Sequence, residues 1–169
     1  MILSNVDIKK YLKAGRIKIQ PAPSEEQIGA TSVDLTLADE FWKFRKGGII
    51  DLETAKQEDV LEKFSARAVE LKPGQMMLGK TVEKITLAPD VCGKLEGRSR
   101  YARFGTAIHV SSSLIHAGSS NHQILEIVNF SPRPVLLKAG MRVCQVMFQK
   151  ISSPTSKPYA KFGKIARRQ

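Results

Sequence analysis

Apolar and polar residues alternate with a period of two along most of this chain, and only its first segment departs from that rhythm. Val6, Ile8, Tyr11 and Leu12 recur at helical spacing. Ser4 can accept a hydrogen bond as N-cap, Asp7 suits the positive end of the dipole, and Gly15 marks an exit, so a short N-terminal helix is predicted. Residues 16–19 then alternate until Pro21 and Pro23 break the run. Residues 32–37 place Val33, Leu35 and Leu37 on one face of a strand. Phe41-Trp42-Lys43-Phe44 reads as a strand with a packed face, and Gly47-Gly48 as a turn. Residues 53–65 are charged with loose helical spacing, which fits either a helix or an irregular excursion. Further strands are predicted at 67–71, 76–80, 82–87, 91–96, 106–112, 123–129, 134–137 and 142–150. Pro73-Gly74, Ala88-Pro89-Asp90, Gly118 and Ala139-Gly140 punctuate them. So many short strands at this spacing predict a mainly β fold, an antiparallel jelly roll or barrel with few helices besides the first.

Composition narrows this picture. A chain of 169 residues with 42% hydrophobic and 25% charged residues suits one globular body with a sizeable core. Residues 1–150 carry the strand pattern; residues 151–169 are polar, basic and proline-containing, and read as a mobile tail. Cys92 and Cys144 both fall in apolar strand-like segments, so two buried free thiols are the default reading, with a disulfide left open. The N-terminus lacks the basic and apolar regions of a signal peptide, and nothing approaches the roughly 18 consecutive apolar residues of a membrane span. A soluble, cytoplasmic protein with no membrane partner is expected. The net charge of +11 raises nucleic-acid binding. Much of that excess sits in the tail, however, and no basic helix or interleaved aromatic platform accompanies the rest, so no nucleic-acid partner is expected. A nucleoside triphosphate site uses a positive surplus equally well.

Two segments carry candidate chemistry. Gly97-Arg98-Ser99-Arg100-Tyr101-Ala102-Arg103 packs a hydroxyl and three guanidinium groups into seven residues. Arginine forks match phosphate oxygens and stay charged at any cellular pH. Ile124-Leu125-Glu126-Ile127-Val128 sets one carboxylate in an apolar strand, a candidate proton shuttle because burial disfavours its charged form. The duller alternatives are a surface charge cluster and a structural carboxylate paired with Arg98 or Arg103. No Walker loop, dinucleotide fingerprint or nucleophile elbow is present. A zinc deaminase needs a Pro-Cys-x-x-Cys segment that this chain lacks, and His109, His116 and His122 are not spaced as a ligand pair. No metal site is expected on these residues, so water activation falls to a carboxylate.

These segments together resemble the dCTP deaminase family of the trimeric dCTP deaminase and dUTPase superfamily. Gly97–Gly105 is similar to the family's Gly-Arg-Ser-Ser-x-Ala-Arg-x-Gly signature. Gly29-Ala30-Thr31-Ser32-Val33-Asp34-Leu35, His109-Val110, the Leu125-Glu126 strand and Ala139–Gln145 also line up with it. The resemblance implies a β-clip, a distorted jelly roll, assembled as a homotrimer with shared active sites. It implies hydrolytic deamination of dCTP to dUTP and ammonia without zinc, magnesium arriving with the triphosphate. Glu126 would exchange the protons, Ser99 would hold the water and base edge, and Arg103 would steady the reacting centre, often from a neighbouring subunit. Arg98 and Arg100 would join the triphosphate grip, Tyr101, Ala102 and His116 would count among the substrate-binding residues, Ile124 and Leu125 would meet the pyrimidine through their backbone, and Tyr159 and Lys161 would fold over the nucleotide. The thymidine nucleotide, dTTP, is an implied inhibitor.

Three departures from the family pattern stand out. Arg100 replaces the second serine of the signature. The family's Ile-Asp-Pro-Gly-Phe-x-Gly loop reads Ile115-His116-Ala117-Gly118-Ser119-Ser120-Asn121 here, so His116 stands where a carboxylate normally contacts the sugar. The tail carries Ile165 where the family has a glutamine. Two further readings therefore compete with deamination: a dUTP diphosphatase or bifunctional enzyme, which the loss of that carboxylate disfavours, and a non-catalytic nucleotide- or nucleic-acid-binding protein, which the altered loop and the positive charge favour.

Overall fold

The structure is a computed structural model that describes residues 1–109 and 111–163. Val110 and the tail positions Lys164, Ile165, Arg167 and Arg168 lie outside the described residues. Chain order begins with helix α1 (Asn5–Lys13), then strands β1 (Ile17–Gln20) and β2 (Val33–Phe44), a single turn α2 (Gln57–Val60), and strands β3 (Leu61–Ser65), β4 (Ala68–Leu71), β5 (Met76–Leu87) and β6 (Val91–Gly97). A second single turn, α3 (Ser99–Ala102), leads into β7 (Thr106–Ile108), β8 (Leu114–Ile115), β9 (Ser120–Asn129), β10 (Val135–Lys138), β11 (Arg142–Lys150) and the last turn, α4 (Tyr159–Phe162).

The N-terminal helix forms where its caps predict. Ser4 Oγ accepts the Asp7 N–H, and Gly15 follows the helix with φ of 67°, a conformation glycine adopts without steric cost. The antiparallel strands run in the order β7-β9-β5-β2-β11-β6-β8, with β1 added beside β5 and β3 beside β2. Strand β2 curls the sheet: residues 33–36 pair with β11 and residues 37–44 with β5 and β3. The core lies inside this curl. Val33, Leu35, Leu37 and Phe41 of β2 are fully buried there with Ile85, Leu125, Ile127, Val146 and Phe148. A mainly β, curled antiparallel jelly roll is thus the architecture.

The structure corrects four local expectations. The strands predicted at 76–80 and 82–87 are one, β5, bent where its register against β9 shifts between Lys80 and Lys84. Thr81 Oγ1 fills that bulge, donating to the Glu83 carbonyl and accepting the Gln123 N–H. Residues 61–65, read as helical or irregular, form edge strand β3, whose charges pair across to β2 through Lys63 with Glu40 and Lys43 with Glu62. The strand predicted at 106–112 ends at Ile108, because His109 turns the chain away with φ of 64°. The tail expected to be mobile folds back as far as it is described: Thr155 N–H donates to the Pro89 carbonyl, and Tyr159 and Ala160 donate to Ala117 and Gly118. Cys92 and Cys144 are both free thiols; Cys144 is buried and Cys92 half-buried, and burial pushes both thiols up.

Candidate active site

Strand β9 builds the centre of the site. Its period-two pattern sends Asn121, Gln123, Leu125 and Ile127 inward, while Ile124 and Glu126 share the opposite, half-buried face. On one side β9 pairs with β5 throughout its length. On the other, its pairing with β7 stops at the Ile108–Ile127 register position. The chain leaves at His109, whose N–H still donates to the Glu126 carbonyl at 2.7 Å. Among the described residues no strand lies against β9 on the far side of that bond, so the backbone edge at Ile124 and Leu125 is open to a planar polar ligand.

A cavity of about 150 Å³ opens along this edge. Glu126, Ile124, Gln123, Asn121, His109, Ser119, His116 and Tyr159 contribute to its walls. Among the described residues, Glu126 is its sole carboxylate. The Glu126 side chain is only 20% exposed; Oε2 lies 3.5 Å from the Ser111 N–H and 3.9 Å from His109 Nδ1. His109 is the only non-glycine residue with positive φ among the described residues. Its ring is buried, and Nδ1 has no hydrogen-bond partner. Ser119 Oγ is likewise buried without a partner. Unsatisfied buried polar atoms are rare in folded proteins, and two of them belong to residues that line this one cavity.

At the rim, the His116 ring stacks on Tyr159 with centroids 4.9 Å apart and planes 14° from parallel. Gly118 permits this docking: a Cβ there would meet Pro158 Cβ at 2.5 Å. Of the residues singled out by sequence, the cavity therefore gathers Glu126, Ile124, His116 and Tyr159. Leu125 reaches it only through backbone, since its side chain is fully buried in the core. Lys161 lies exposed on α4, two residues beyond the stacked Tyr159.

The arginine segment is elsewhere. Arg98 closes β6 and caps α3; Ser99, Arg100, Ala102 and Arg103 are exposed on that turn, and the Arg100 guanidinium lies 5.7 Å from the Tyr101 ring centre. None of them lines the Glu126 cavity. Arg98 pairs with Asp34 at 3.0 Å, so the suggestion that it neutralises Glu126 gives way to a different partner. Arg100 and Tyr101 instead border an apolar groove of about 460 Å³, walled by Phe104, Ile108, Leu136, Leu137 and Val143. The sequence named His109 within the family resemblance, and Ser119 and Asn121 within the altered loop, but gave none of them, nor Gln123, a role at the site. The His109 turn carried no glycine or proline signal that would have flagged it. Among the described residues, no three His, Cys, Asp or Glu side chains stand close enough together to hold a metal ion, and no helix is long and apolar enough to cross a membrane.

Comparisons with known proteins identify the family and the fold. A family model described as dCTP deaminase-like matches residues 2–151. A dCTP deaminase from Rhodospirillum rubrum is 40% identical over 171 residues, covering 95% of this chain and 88% of its own. A dUMP-forming dCTP deaminase from Methanosphaera stadtmanae is 39% identical, with 94% of this chain and 83% of its own covered. Among solved structures, the 2'-deoxycytidine 5'-triphosphate deaminase from Agrobacterium tumefaciens shares the fold with a TM-score of 0.67 at 21% identity, over 88% of this chain and 47% of that longer one. The dUTPase of Staphylococcus bacteriophage 80alpha shares it with a TM-score of 0.56 at 14% identity, over 90% of this chain and 92% of its own. Extent and identity together place this chain in the dCTP deaminase family.

Proposed function

We propose that this chain converts dCTP to dUTP and ammonia by general acid–base catalysis on Glu126. The observation that carries the reading is a lone carboxylate in a small cavity beside an open strand edge. The edge at Ile124 and Leu125 offers backbone donors and acceptors to the pyrimidine, which sets C4 near Glu126. Glu126 takes a proton from water as the oxygen adds to C4, then gives a proton to the exocyclic amine as the C4–N4 bond breaks. The site needs no metal for that transfer, and magnesium enters only as part of the Mg–triphosphate substrate.

Ser99, Arg100 and Arg103 complete the site from a neighbouring subunit. Within one chain they do not line the Glu126 cavity; Arg100 instead borders an apolar groove whose wall includes Phe104 and Leu136, 70% and 55% exposed. Burying such a face against further copies of the chain in a trimer would remove apolar surface from water and carry the arginines to a neighbour's cavity. Tyr159 and Lys161 cover the entrance.

The proposed product is dUTP. Release of pyrophosphate would need a second activated water at the α-phosphate, and His116, stacked on Tyr159, offers no carboxylate for it. The relatives include both deaminases and dUMP-forming enzymes, so the product is the point to test. Incubation with Mg·dCTP and Mg·dUTP in parallel should yield ammonia and dUTP from the first and nothing from the second. Glu126→Gln should lose at least about 100-fold in turnover while keeping nucleotide affinity within a few fold. Formation of dUMP would establish a bifunctional enzyme; tight nucleotide binding without any turnover would leave a binding protein.

A further inference from the structure

Arg98 belongs to the arginine turn by sequence, yet its side chain is tied to the neighbouring strands of the sheet. Nη2 lies 3.0 Å from Asp34 Oδ2, and Nη1 donates to the Arg142 carbonyl at 2.9 Å. Asp34 comes from β2, Arg142 from β11 and Arg98 from the end of β6, three consecutive strands of the sheet. The pair is largely dry, with side chains 14% and 28% exposed. Burial pushes the Asp34 carboxyl up while Arg98 and then Arg142 pull it down. A second tie holds the preceding residue: Gln145 Nε2 donates to the Gly97 carbonyl, and Gln145 Oε1 accepts from Ser32 Oγ at 2.7 Å. The junction from β6 into α3 is therefore pinned from below at two successive residues. Beyond it, α3 is a single turn, too short to hold its own direction.

We propose that Asp34 is a positioning residue for polyphosphate binding: through Arg98 it fixes the start of the arginine turn and so aims Ser99 and Arg103 at the triphosphate. The inference rests on the deaminase reading for the identity of the ligand, but binding can be measured without turnover. Its physical basis is that a fork–carboxylate bond has one geometry, whereas a free guanidinium sweeps many. Removing the carboxylate leaves Arg98 charged and unpartnered, and the turn loses its anchor.

The test measures kcat and KM for Mg·dCTP, and calorimetric affinity for Mg·tripolyphosphate, in the full-length protein and in Asp34→Asn. The expected result is a KM about ten- to a hundredfold higher with a smaller fall in kcat, and a loss of tripolyphosphate affinity equal to the rise in KM. In the double variant Asp34→Asn/Arg98→Gln the loss should be no greater than in Arg98→Gln alone, because one residue acts through the other. Should Asp34→Asn not fold, Asp34→Glu keeps the charge while displacing the anchor, and the same selective rise in KM is expected at smaller size. Unchanged KM and tripolyphosphate affinity would overturn the inference. So would recovery of the loss by raised magnesium, which would make Asp34 a metal-facing carboxylate, or a fall in kcat that tracks lost thermal stability. If wild type binds tripolyphosphate in an Asp34-dependent manner yet leaves dCTP intact, the deaminase reading fails and this one stands.

Discussion

Glu126 illustrates how much of the site was written into residue type and how much was not. A carboxylate among Ile, Leu and Val residues was legible as a proton carrier, but its partner was not. His109 stands 17 positions away and meets it only because the backbone there adopts a left-handed turn. That conformation costs a β-carbon residue roughly 1–2 kcal/mol, offset in part by the hydrogen bond to the Glu126 carbonyl. Glu40 shows the same logic in a purely structural setting. It sits on β2 between Lys63 of β3 and Lys80 of β5, and their hydrogen bonds, Lys63 first, lower its pKa from 4.5 to about 2. A carboxyl held below its unfolded value stabilises the folded chain above that value and loses the contribution as pH falls toward 2. Glu40→Gln should therefore lower the urea midpoint at pH 7, and the gap to wild type should close as the titration approaches pH 2. Because these groups are partly exposed, high salt should shrink the gap. A gap independent of pH would point to packing instead.

At the scale of elements, strands announced themselves by alternation and their interruptions did not. The Lys80–Lys84 bulge leaves the apolar period intact on either side, so β5 looked like two strands. Charge hid β3, because an edge strand carries its stabilising pairs on side chains that also suit a helix surface. The tail is the clearest case: polar, basic and proline-containing, it gave no apolar stripe to predict docking. Its position depends on backbone bonds to Ala117 and Gly118 and on one ring stack. Gly118 is the hinge of that arrangement, with φ of 74° and Pro158 directly over it. Gly118→Ala should displace the tail at a cost of about 1–2 kcal/mol in backbone strain besides the clash. Limited tryptic proteolysis after Lys161 should become faster, and KM for dCTP should rise. Unaltered cleavage would show that the tail is not held there.

For the whole molecule, the separation between Glu126 and the arginine turn carries the most weight. One chain holds a proton carrier in a small cavity and a cationic turn beside an exposed apolar groove, and none of the turn's residues lines that cavity. Assembly joins them in the proposed trimer. Leu136→Glu, placing a charge on the exposed face of β10, should shift the mass measured by light scattering toward that of one chain and reduce activity together with assembly, while the circular dichroism of the β fold persists. Retention of the wild-type mass would locate the subunit contact elsewhere.

Sequence alone determined the strand-rich class, the faces that become core, the helix and its caps, and the residue types able to bind phosphate and move protons. Those properties are local: they follow from side-chain period, cap chemistry and charge within a few residues. The tertiary structure decided that Arg98 pairs with Asp34, that His109 rather than an arginine stands beside Glu126, that the tail closes on His116, and that the arginine turn takes no part in lining its own chain's cavity. Each is a contact between distant segments, and such contacts depend on the register and curl of the whole sheet, which no short window of residues contains.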